Sequence, residues 1–234
     1  MIAKLRAAIN LGNPVLAGKD AATDEPRGVS VDLARELAKR LDAPLELVTV
    51  FTAAKSVEAI KSGACDVAFV AIDPARAVDM DYTAAYVLIE GAYLVPQASP
   101  IRTNADVDRE GVRVVVGAGS AYDLYLTREL KRAQIARVRT SEEVVQAMLA
   151  QRFEVAAGVR QQLEADAKRV SGVRLLDGRF MVINQAMALP KGRPAGTSCL
   201  ATYVEEMKAS GFVAGALARH GIAGTTVAPA AGRT

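Results

Sequence analysis

The sequence predicts an α/β protein of two lobes, each a mainly parallel sheet flanked by helices, with a two-strand hinge joining the lobes. Strand-like and helix-like segments alternate almost from the start of the 234-residue chain. The segment 66–72 is a continuous apolar run, which is typical of a strand in a parallel sheet covered on both faces. Two long strand-like segments, around 86–95 and 180–189, flank the second series of alternating elements.

The first series shows both helix periodicity and a helix stop signal. Leu33, Leu37 and Leu41 recur at the i, i+4 and i+8 positions of an amphipathic helix. Gly63 has the C′ position that ends a second helix. The predicted elements of this series are strands 4–11, 44–50 and 66–72 and helices 29–41 and 53–63.

The second series contains a helix-start signal. Thr140 and Glu143 have the spacing of a capping box, which predicts a helix start at Thr140. The segment 179–192 is long enough for two strands, and residues 197–221 predict two helical stretches broken near Gly211. We expect the last dozen residues to be frayed, because they are small and polar. The other predicted elements are strands 86–96, 111–117, 135–140 and 153–159 and helices 120–133, 140–151 and 160–170.

The order of the elements indicates how the chain divides into lobes. In the economical topology the chain leaves lobe 1, builds lobe 2 and returns, so that two crossings form a hinge with a cleft between the lobes. This topology assigns residues 1–91 and 186–234 to lobe 1 and residues 92–185 to lobe 2. The alternative is two consecutive domains joined by a single crossing.

Composition excludes several classes of protein. The net charge is only +3 and the basic residues are scattered, so nucleic acid is not expected as a partner. No apolar stretch approaches the roughly 20 residues that a membrane span needs. The start, "MIAKLRAAINLG", is too short and interrupted for a secretory signal peptide, so either a signal was removed or the protein is cytoplasmic.

The positions of the cysteine and histidine residues predict neither a metal site nor a group of catalytic residues. Cys65 and Cys199 are far apart and have no neighbouring His or Cys, so we interpret them as two buried thiols, with a long-range disulfide as the alternative. The single histidine, His220, precedes Gly221 at a predicted helix end, where interaction with the helix dipole explains it. Tyr122 stands where a dinucleotide-binding fingerprint needs its third glycine. We therefore expect no metal, no cofactor and no catalytic residue.

An arginine follows the most apolar strand of the first series. The run 69–72 ends in Asp73 and Pro74, and Arg76 comes two residues later. A guanidinium presents a rigid fork of donors that matches a carboxylate, and the carboxyl ends of strands are where open α/β sheets bind ligands. The position therefore predicts a carboxylate-binding arginine. The alternative is a surface arginine paired with Asp73 or Asp79.

A second candidate anion site lies at Gly119 and Ser120. A helix that starts at Ala121 exposes unpaired N–H groups and a partial positive charge, and a carboxylate is a natural occupant of such a helix start. Ser120 alternatively serves only as an N-cap, worth about 1 kcal/mol. The two roles are compatible, because the hydroxyl can cap the helix while N–H groups hold the ligand.

Five segments, in this order and spacing, resemble the family 3 extracellular solute-binding proteins of amino-acid ABC importers, which have the type II periplasmic-binding-protein fold. Tyr82 and Thr83 stand for the Phe-Ser of that family's signature. The segments are "GVSVDLARELAKRLDAPLELVTV", "KSGACDVAFVAI", "DPARAVDMDYTAAY", "GVRVVVGAGSAYDLYL" and "QAMALPKG". The resemblance implies that the ligand binds between the lobes, that Arg76 grips its α-carboxylate and that Gly119 and Ser120 complete the clamp. It also implies a periplasmic monomer that docks with an ABC permease.

The chain departs from this family at several positions. Ala71 stands where the family has a hydroxyl, Asn13 where it has a ring, and Ala121 where a threonine is common. The lobe 2 acid that holds the α-ammonium in the family would fall near Val159 or Arg160. How an ammonium group would be held is therefore open.

Two acids are candidates to compensate for the missing one. Glu90 lies on the first crossing segment and Glu154 begins a lobe 2 strand; Glu90 is preferred, because a carboxylate inside an apolar strand is costly unless it faces a partner or the cleft. If Arg76, Lys55 and Arg160 all face the pocket, a dicarboxylate or other anion becomes plausible. Asn184 is a further neutral candidate. The expected ligand-binding residues are Arg76, Ser120, Gly119, Ala71, Asn10, Asn13, Lys55, Glu90, Tyr122 and Gln185.

The function that these features favour is capture of a small amino-acid-like or organic-acid solute as the substrate-binding component of an ABC importer. The first alternative is a lyase on the same scaffold that resembles cyclohexadienyl dehydratases, with Glu90 or Glu154 as the general acid. The second alternative is a ligand-sensing module.

Overall fold

The computed structural model describes residues 3–232. These residues form a mixed α/β fold whose mostly parallel sheets are flanked by helices. The chain divides into two compact units: the described residues up to Leu88 together with those from Asn184 onward form unit 1, and Ile89–Ile183 form unit 2.

The helices are α1 (Val29–Arg40), α2 (Ala53–Lys61), α3 (Ala121–Glu129), α4 (Val144–Gln151), α5 (Arg160–Arg169), α6 (Pro194–Ala209) and α7 (Phe212–Arg219). The strands are β1 (Leu5–Asn10), β2 (Gly18–Lys19), β3 (Pro26–Arg27), β4 (Leu45–Val50), β5 (Val67–Ala71), β6 (Met80–Pro96), β7 (Arg113–Gly117), β8 (Gln134–Val138), β9 (Val155–Val159), β10 (Val173–Leu175), β11 (Met181–Pro190) and β12 (Thr226–Val227). Short 3-10 turns occupy Asn104–Asp106 and Ser141–Glu143. The chain passes from unit 1 to unit 2 within β6 and returns within β11.

The sheet of unit 1 is built around β1. Strand β1 pairs in parallel with β4 and β5, so the carboxyl ends of these three strands lie at one edge of the sheet. Strand β11 pairs with β5 in the antiparallel direction, which places Gln185 opposite Ala71 at that same edge. Leu33 and Leu37 of α1 are buried, as their helical spacing predicts, and Gly63 has the positive φ of a C′ residue.

The sheet of unit 2 has β7 between β8 and β9, all three parallel, with β6 antiparallel to β9. Helices α4 and α5 bury Met148 and Leu163 against its apolar face. Gly91 of β6 leaves room for Phe180, because a Cβ at Gly91 would lie 2.9 Å from the Phe180 ring. Phe180 in turn stacks on Tyr93 with ring centroids 4.3 Å apart.

Some predicted boundaries are wrong, because partners distant in sequence decide them. Strand β6 begins at Met80, and the Thr83 hydroxyl of this early part accepts a hydrogen bond from the backbone N–H of Met187. The segment predicted to hold two strands forms the single strand β11. Part of the supposedly frayed tail forms β12, which pairs with β6; residues 233 and 234 lie outside the described residues.

The predicted capping box is also wrong. The Thr140 side chain makes no cap hydrogen bond, and the segment after it starts as a 3-10 turn. The Glu143 carboxylate instead accepts hydrogen bonds from the backbone and side chain of Arg139. The Glu143 side chain, which a capping box would need, therefore pairs with Arg139, the charged residue directly before Thr140.

The cysteine and histidine predictions have mixed outcomes. Both cysteines are free thiols; Cys65 is buried as expected, but Cys199 is exposed. His220 ends α7 as expected, and its Nε2 lies 3.0 Å from a carboxylate oxygen of Asp32. Within residues 3–232, every helix is too short or too polar to span a membrane.

Candidate functional site

The carboxyl edge of the unit 1 sheet is shaped by a close approach of two loops. The Asn10 side chain, at the end of β1, accepts a hydrogen bond from the Gly12 N–H at 3.0 Å. A Cβ at Gly12 would lie only 2.1 Å from the carbonyl oxygen of Phe51, which directly follows β4. Only glycine allows this approach, and the Phe51 side chain is 63% exposed at the edge.

The Arg76 side chain folds back toward the end of β5. The turn that carries it is held by Asp73, whose carboxylate accepts the Ala75 N–H at 2.8 Å and whose carbonyl accepts the Arg76 N–H at 3.0 Å. The Arg76 guanidinium donates to the Ala71 carbonyl at 3.1 Å, and the residue is only 4% exposed. Burial lowers the pKa of Arg76, while the nearby Tyr82 and Asp73 raise it.

The burial of Arg76 argues against the interpretation that it is a surface arginine. Its guanidinium is buried, and Asp79 instead lies 2.9 Å from the ammonium of Lys61. Asp73, the other partner considered, is near enough to raise the pKa of Arg76. A buried cation of this kind has already lost most of its hydration, so an incoming carboxylate would find it with little water to displace.

Two buried amide oxygens lie close to this edge in the fold. Gln185, opposite Ala71, is 6% exposed, and its side-chain oxygen has no hydrogen-bond partner within the described chain. The side-chain oxygen of Asn13, in the loop after β1, is likewise buried without a partner among the described residues. Because buried acceptors are almost always paired, these two oxygens are candidates to receive a donor from a ligand.

The other predicted unit 1 residues have structural partners. Ala71 is buried and contributes only its carbonyl, which Arg76 occupies. The Lys55 ammonium lies 2.7 Å from a carboxylate oxygen of Glu58, and both side chains are 64% exposed. Asn184 is exposed, and its carbonyl accepts the Ile72 N–H. The structure thus brings Arg76, Ala71 and Gln185 together, whereas the Lys55 ammonium bonds within its own helix.

Two apolar residues of this edge are absent from the ligand-binding residues that the sequence predicts. Phe51 and Ile72, which directly follow β4 and β5, are 63% and 43% exposed. Exposed large apolar residues at the ends of the two strands that flank β1 are suited to contact the apolar part of a ligand. The sequence signal for Phe51 is an aromatic residue directly after a predicted strand, whereas Ile72 is the last residue of the strand predicted at 66–72.

In unit 2, Ser120 caps α3 as predicted. Its hydroxyl accepts the Asp123 N–H at 3.1 Å, and the backbone at Ser120 is extended. The Asp123 carboxylate accepts the Gly119 N–H at 2.8 Å and also contacts the guanidinium of Arg137 at 3.0 Å. The predicted anion-binding N–H of Gly119 therefore already has a carboxylate partner from within the helix.

Tyr122 lies in the core of unit 2. It is 2% exposed, and its hydroxyl donates a hydrogen bond to the Ser141 hydroxyl at 2.7 Å. Burial raises the pKa of Tyr122, so its hydroxyl stays protonated. The structure gives this predicted ligand-binding residue a packing role.

Glu90 lies between two arginines. One carboxylate oxygen accepts from Arg160, the first residue of α5, at 2.8 Å, and the other accepts from Arg179 at 2.8 Å. These two hydrogen bonds, that of Arg179 most strongly, lower the pKa of Glu90. Arg160 also donates to the Gly178 carbonyl. We call Glu90, Arg160 and Arg179 the Glu90 cluster.

Glu154, the other compensating acid considered, occupies a different position. Its carboxylate accepts from the Arg113 side chain at 2.8 and 2.9 Å and from the Arg113 N–H at 2.8 Å. It directly precedes β9 and bonds to the first residue of β7, so it lies at the amino ends of these parallel strands. Open α/β sheets bind ligands at the carboxyl ends of their strands, whereas Glu154 lies at the amino ends, where it pairs with Arg113.

A family model described as bacterial extracellular solute-binding proteins, family 3, matches residues 5–221. Among curated proteins, none matches the chain.

Solved structures share the fold at low sequence identity. The solute receptor for L-cysteine of Neisseria gonorrhoeae is 23% identical with a TM-score of 0.80, and the match covers 93% of this chain and 89% of that one. An ancestral arginine-binding protein bound to arginine is 22% identical with a TM-score of 0.80, covering 94% and 98%. A histidine kinase sensor domain is 15% identical with a TM-score of 0.81, covering 96% and 98%.

Proposed function

This chain belongs to the bacterial extracellular solute-binding proteins, family 3, and from that premise we propose that it captures a small amino-acid-like or organic-acid solute through its carboxylate. In this proposal it is the substrate-binding component of an ABC importer. It acts as a monomer in the periplasm and delivers the solute to a membrane permease. The L-cysteine receptor and the arginine-bound protein, which share its fold, are named for ligands that carry an α-carboxylate.

The buried guanidinium of Arg76 is the observation that carries the proposal. It sits at the carboxyl end of β5, 3.1 Å from the Ala71 carbonyl, and is held in place by a turn whose hydrogen bonds are satisfied. The side-chain oxygen of Gln185, which has no hydrogen-bond partner among residues 3–232, lies on the neighbouring strand, opposite Ala71. A carboxylate that binds Arg76 gains charge-assisted hydrogen bonds in a site of low dielectric constant, and a donor on the same solute can satisfy Gln185.

The paired state of the acids favours binding over the lyase reaction. A general acid has to carry a proton at the working pH, which requires a raised carboxyl pKa. Arg179 and Arg160 lower the pKa of Glu90, and Arg113 lowers the pKa of Glu154, so both carboxylates stay ionised at neutral pH. Neither acid is therefore suited to donate a proton to a leaving hydroxyl.

Calorimetric titration with a panel of L-amino acids and organic acids tests the proposal. We expect at least one compound to bind with micromolar or tighter affinity and to raise the melting temperature. The Arg76→Ala variant should bind that compound about 100-fold more weakly, since two charge-assisted hydrogen bonds contribute roughly 3 kcal/mol.

Arg6→Ala is the matched control for this substitution. Arg6 lies on the amino-end side of the same sheet and pairs with Asp66 at 2.7 Å, so its loss should leave the affinity unchanged. Circular dichroism of both variants confirms folding. Unchanged affinity in Arg76→Ala removes Arg76 from the site, and absence of binding by the whole panel contradicts the proposed solute class.

A further inference from the structure

We infer that unit 1 carries a second small-molecule site, a groove between α1 and α6 that takes an uncharged ring compound with a hydrogen-bond donor. We call it the α1–α6 groove. Its volume is about 550 Å³, within the roughly 300–1,000 Å³ that small-molecule sites occupy. Its lining residues belong to α1, to Leu41 directly after α1 and to α6. The site therefore lies within one unit and does not depend on the proposed function.

The α1–α6 groove lies on the amino-end side of the unit 1 sheet. Its α1 residues belong to the last turn of that helix, after which the chain enters β4. Its α6 residues follow the end of β11, which pairs with β5 in the antiparallel direction and therefore ends near the start of β5. Arg76 follows the carboxyl end of β5. A compound in the groove and a solute at Arg76 would therefore occupy different places.

The walls of the α1–α6 groove include apolar surface from both helices. Leu37 and Leu41 line it from the end of α1, and Tyr203 lines it from α6. The Tyr203 hydroxyl donates a hydrogen bond of 2.7 Å to the Leu33 carbonyl, so the ring rather than the hydroxyl is available to contact a ligand. An apolar wall with an aromatic ring is suited to stack against a ring compound.

The charged residues that line the α1–α6 groove are paired. Arg40 lies over the Tyr203 ring, 5.3 Å from its centroid. Its guanidinium bonds to Glu206 across the groove and to Glu36 at 3.1 Å within α1. An anion would gain Arg40 only in competition with these two carboxylates, and a cation would gain Glu206 only in competition with Arg40. An uncharged compound leaves the pairs intact, so the groove favours it.

Thr202 supplies a hydrogen-bond acceptor to the α1–α6 groove. Its hydroxyl donates to the Ser198 carbonyl at 3.1 Å, which uses its one hydrogen. The lone pairs of the Thr202 oxygen can still accept a hydrogen bond. A ligand N–H or O–H therefore matches this wall, whereas a ligand that only accepts does not.

Cys199 makes occupancy of the α1–α6 groove measurable. It is a free, exposed thiol that lines the groove, whereas Cys65 is buried. Because Cys199 is exposed, its thiol reacts from the folded state, and a compound that fills the groove should shield it. Stabilisation of the fold by a compound bound elsewhere would not slow this reaction.

Alkylation of Cys199 by iodoacetamide in the presence of indole tests the inference on the whole chain. Indole is an uncharged ring compound with one N–H donor, and we expect it to bind with a dissociation constant of about 1 mM or below. The alkylation rate of Cys199, followed by peptide mass spectrometry, should fall roughly 10-fold when free indole is at about ten times that constant. An unchanged rate overturns the inference.

Two variants that fill the α1–α6 groove locate the binding. Ala195→Trp and Ser198→Phe each place a ring in it, so the ratio of Cys199 rates without and with indole should approach unity. Ala209→Trp is the matched control, because Ala209 is exposed on the same helix, roughly 20 Å further along its axis. The control should keep the full protection. Melting temperatures confirm that the variants fold. Full protection in both groove variants, or its loss in the control, contradicts the inference.

Charged analogues test the class of the ligand. Indole-3-acetate and tryptamine keep the ring and its N–H but add a negative or a positive charge. We expect each to need a concentration about 10-fold higher for the same protection of Cys199. Equal protection by either ion overturns the inference. A Cys199 rate that falls as the protein concentration rises, without any compound, would show that a second copy of the chain covers the groove, and would also overturn it.

Discussion

Arg76 and Gln185 are both buried, and Ala71 connects them: Arg76 donates to its carbonyl, and Gln185 lies opposite it on the neighbouring strand. Each of the two carries a polar group whose burial costs free energy. The Arg76 guanidinium offsets part of this cost through the Ala71 carbonyl, but the Gln185 side-chain oxygen has no partner among the described residues. An unpaired buried acceptor costs roughly 1–3 kcal/mol. If the solute binds at this edge, as we propose, it recovers this cost by donating to Gln185.

The substitution Gln185→Leu should therefore change stability and affinity in opposite directions. Removal of the unpaired acceptor should raise the free energy of unfolding of the free protein by about 1 kcal/mol, since leucine fills a similar volume without a polar group. Solute affinity should fall about 10-fold, because one hydrogen bond to the ligand is lost. Urea unfolding and calorimetry measure the two quantities.

Asn184→Ala provides the comparison for this prediction. Asn184 precedes Gln185 on β11, but it is exposed, so its side chain should affect neither quantity by more than a few tenths of a kcal/mol. Destabilisation of the free protein by Gln185→Leu, or unchanged affinity, would show that Gln185 has a structural role only.

The candidate site was only partly predictable from the sequence. The position of Arg76 at the carboxyl end of β5 was predictable, because a lone guanidinium after an apolar strand is visible in the sequence. Tyr122 and Lys55 were included because of their positions, but their side chains bond to Ser141 and Glu58, and the direction of a side chain is set by packing. Phe51 was missed because exposure cannot be read from one residue's neighbours in sequence.

At the scale of the elements, the start of α3 has two candidate roles. The Ser120 hydroxyl caps the helix by accepting a hydrogen bond from the Asp123 N–H. The Asp123 carboxylate in turn accepts the hydrogen bond of the Gly119 N–H. Because the helix start carries its own carboxylate, its positive end is partly compensated. The cap role is established by the geometry, whereas ligand binding at this helix start is a separate hypothesis.

Two substitutions at position 120 distinguish these roles. Ser120→Ala should lower the free energy of unfolding by about 1 kcal/mol through loss of the cap, and Ser120→Asp should retain most of the stability because aspartate also caps helices. If the α3 start binds the solute carboxylate, Ser120→Asp should weaken affinity at least 10-fold through repulsion. Equal affinities in wild type and Ser120→Asp would restrict the helix start to a structural role.

Helices and strands were predicted well where the signal lies in their own residues. The apolar spacing of α1 and the continuous apolar run of β5 place both within a residue or two of their observed bounds. The first residues of β6 and the short strand β12 were missed, because they are strands only through pairing with segments far away in sequence. The capping box at Thr140 failed because Arg139 competes for Glu143.

At the scale of the whole molecule, many carboxylates are held by guanidinium groups or backbone N–H groups. In both units these contacts lower the pKa of the carboxyl group, as they do for Asp66 in unit 1 and Glu90 and Glu154 in unit 2. A carboxyl whose folded-state pKa lies below its unfolded-state pKa stabilises the fold above the unfolded-state value. This contribution disappears as the pH falls through the folded-state value.

The protein should therefore lose stability in acid. Melting temperature should be nearly constant from about pH 7 to pH 5 and should fall steeply below about pH 4, where the unfolded chain takes up protons more readily than the folded one. Differential scanning calorimetry across this range measures the slope. The double variant Glu90→Gln and Glu154→Gln should show a shallower fall, and a slope equal to that of the wild type would contradict the role given to these two pairs.

A protein engineer who wished to convert this chain into a sensor for a new analyte would begin at its exposed apolar positions, Phe51 and Ile72. Position 12, in contrast, has no room for a side chain. Any side chain there would push against the carbonyl of Phe51, since even a Cβ would come within 2.1 Å of it. The shape of this sheet edge thus depends on the lack of a Cβ atom at Gly12. A library that randomises position 12 would therefore yield variants with an altered backbone rather than altered selectivity.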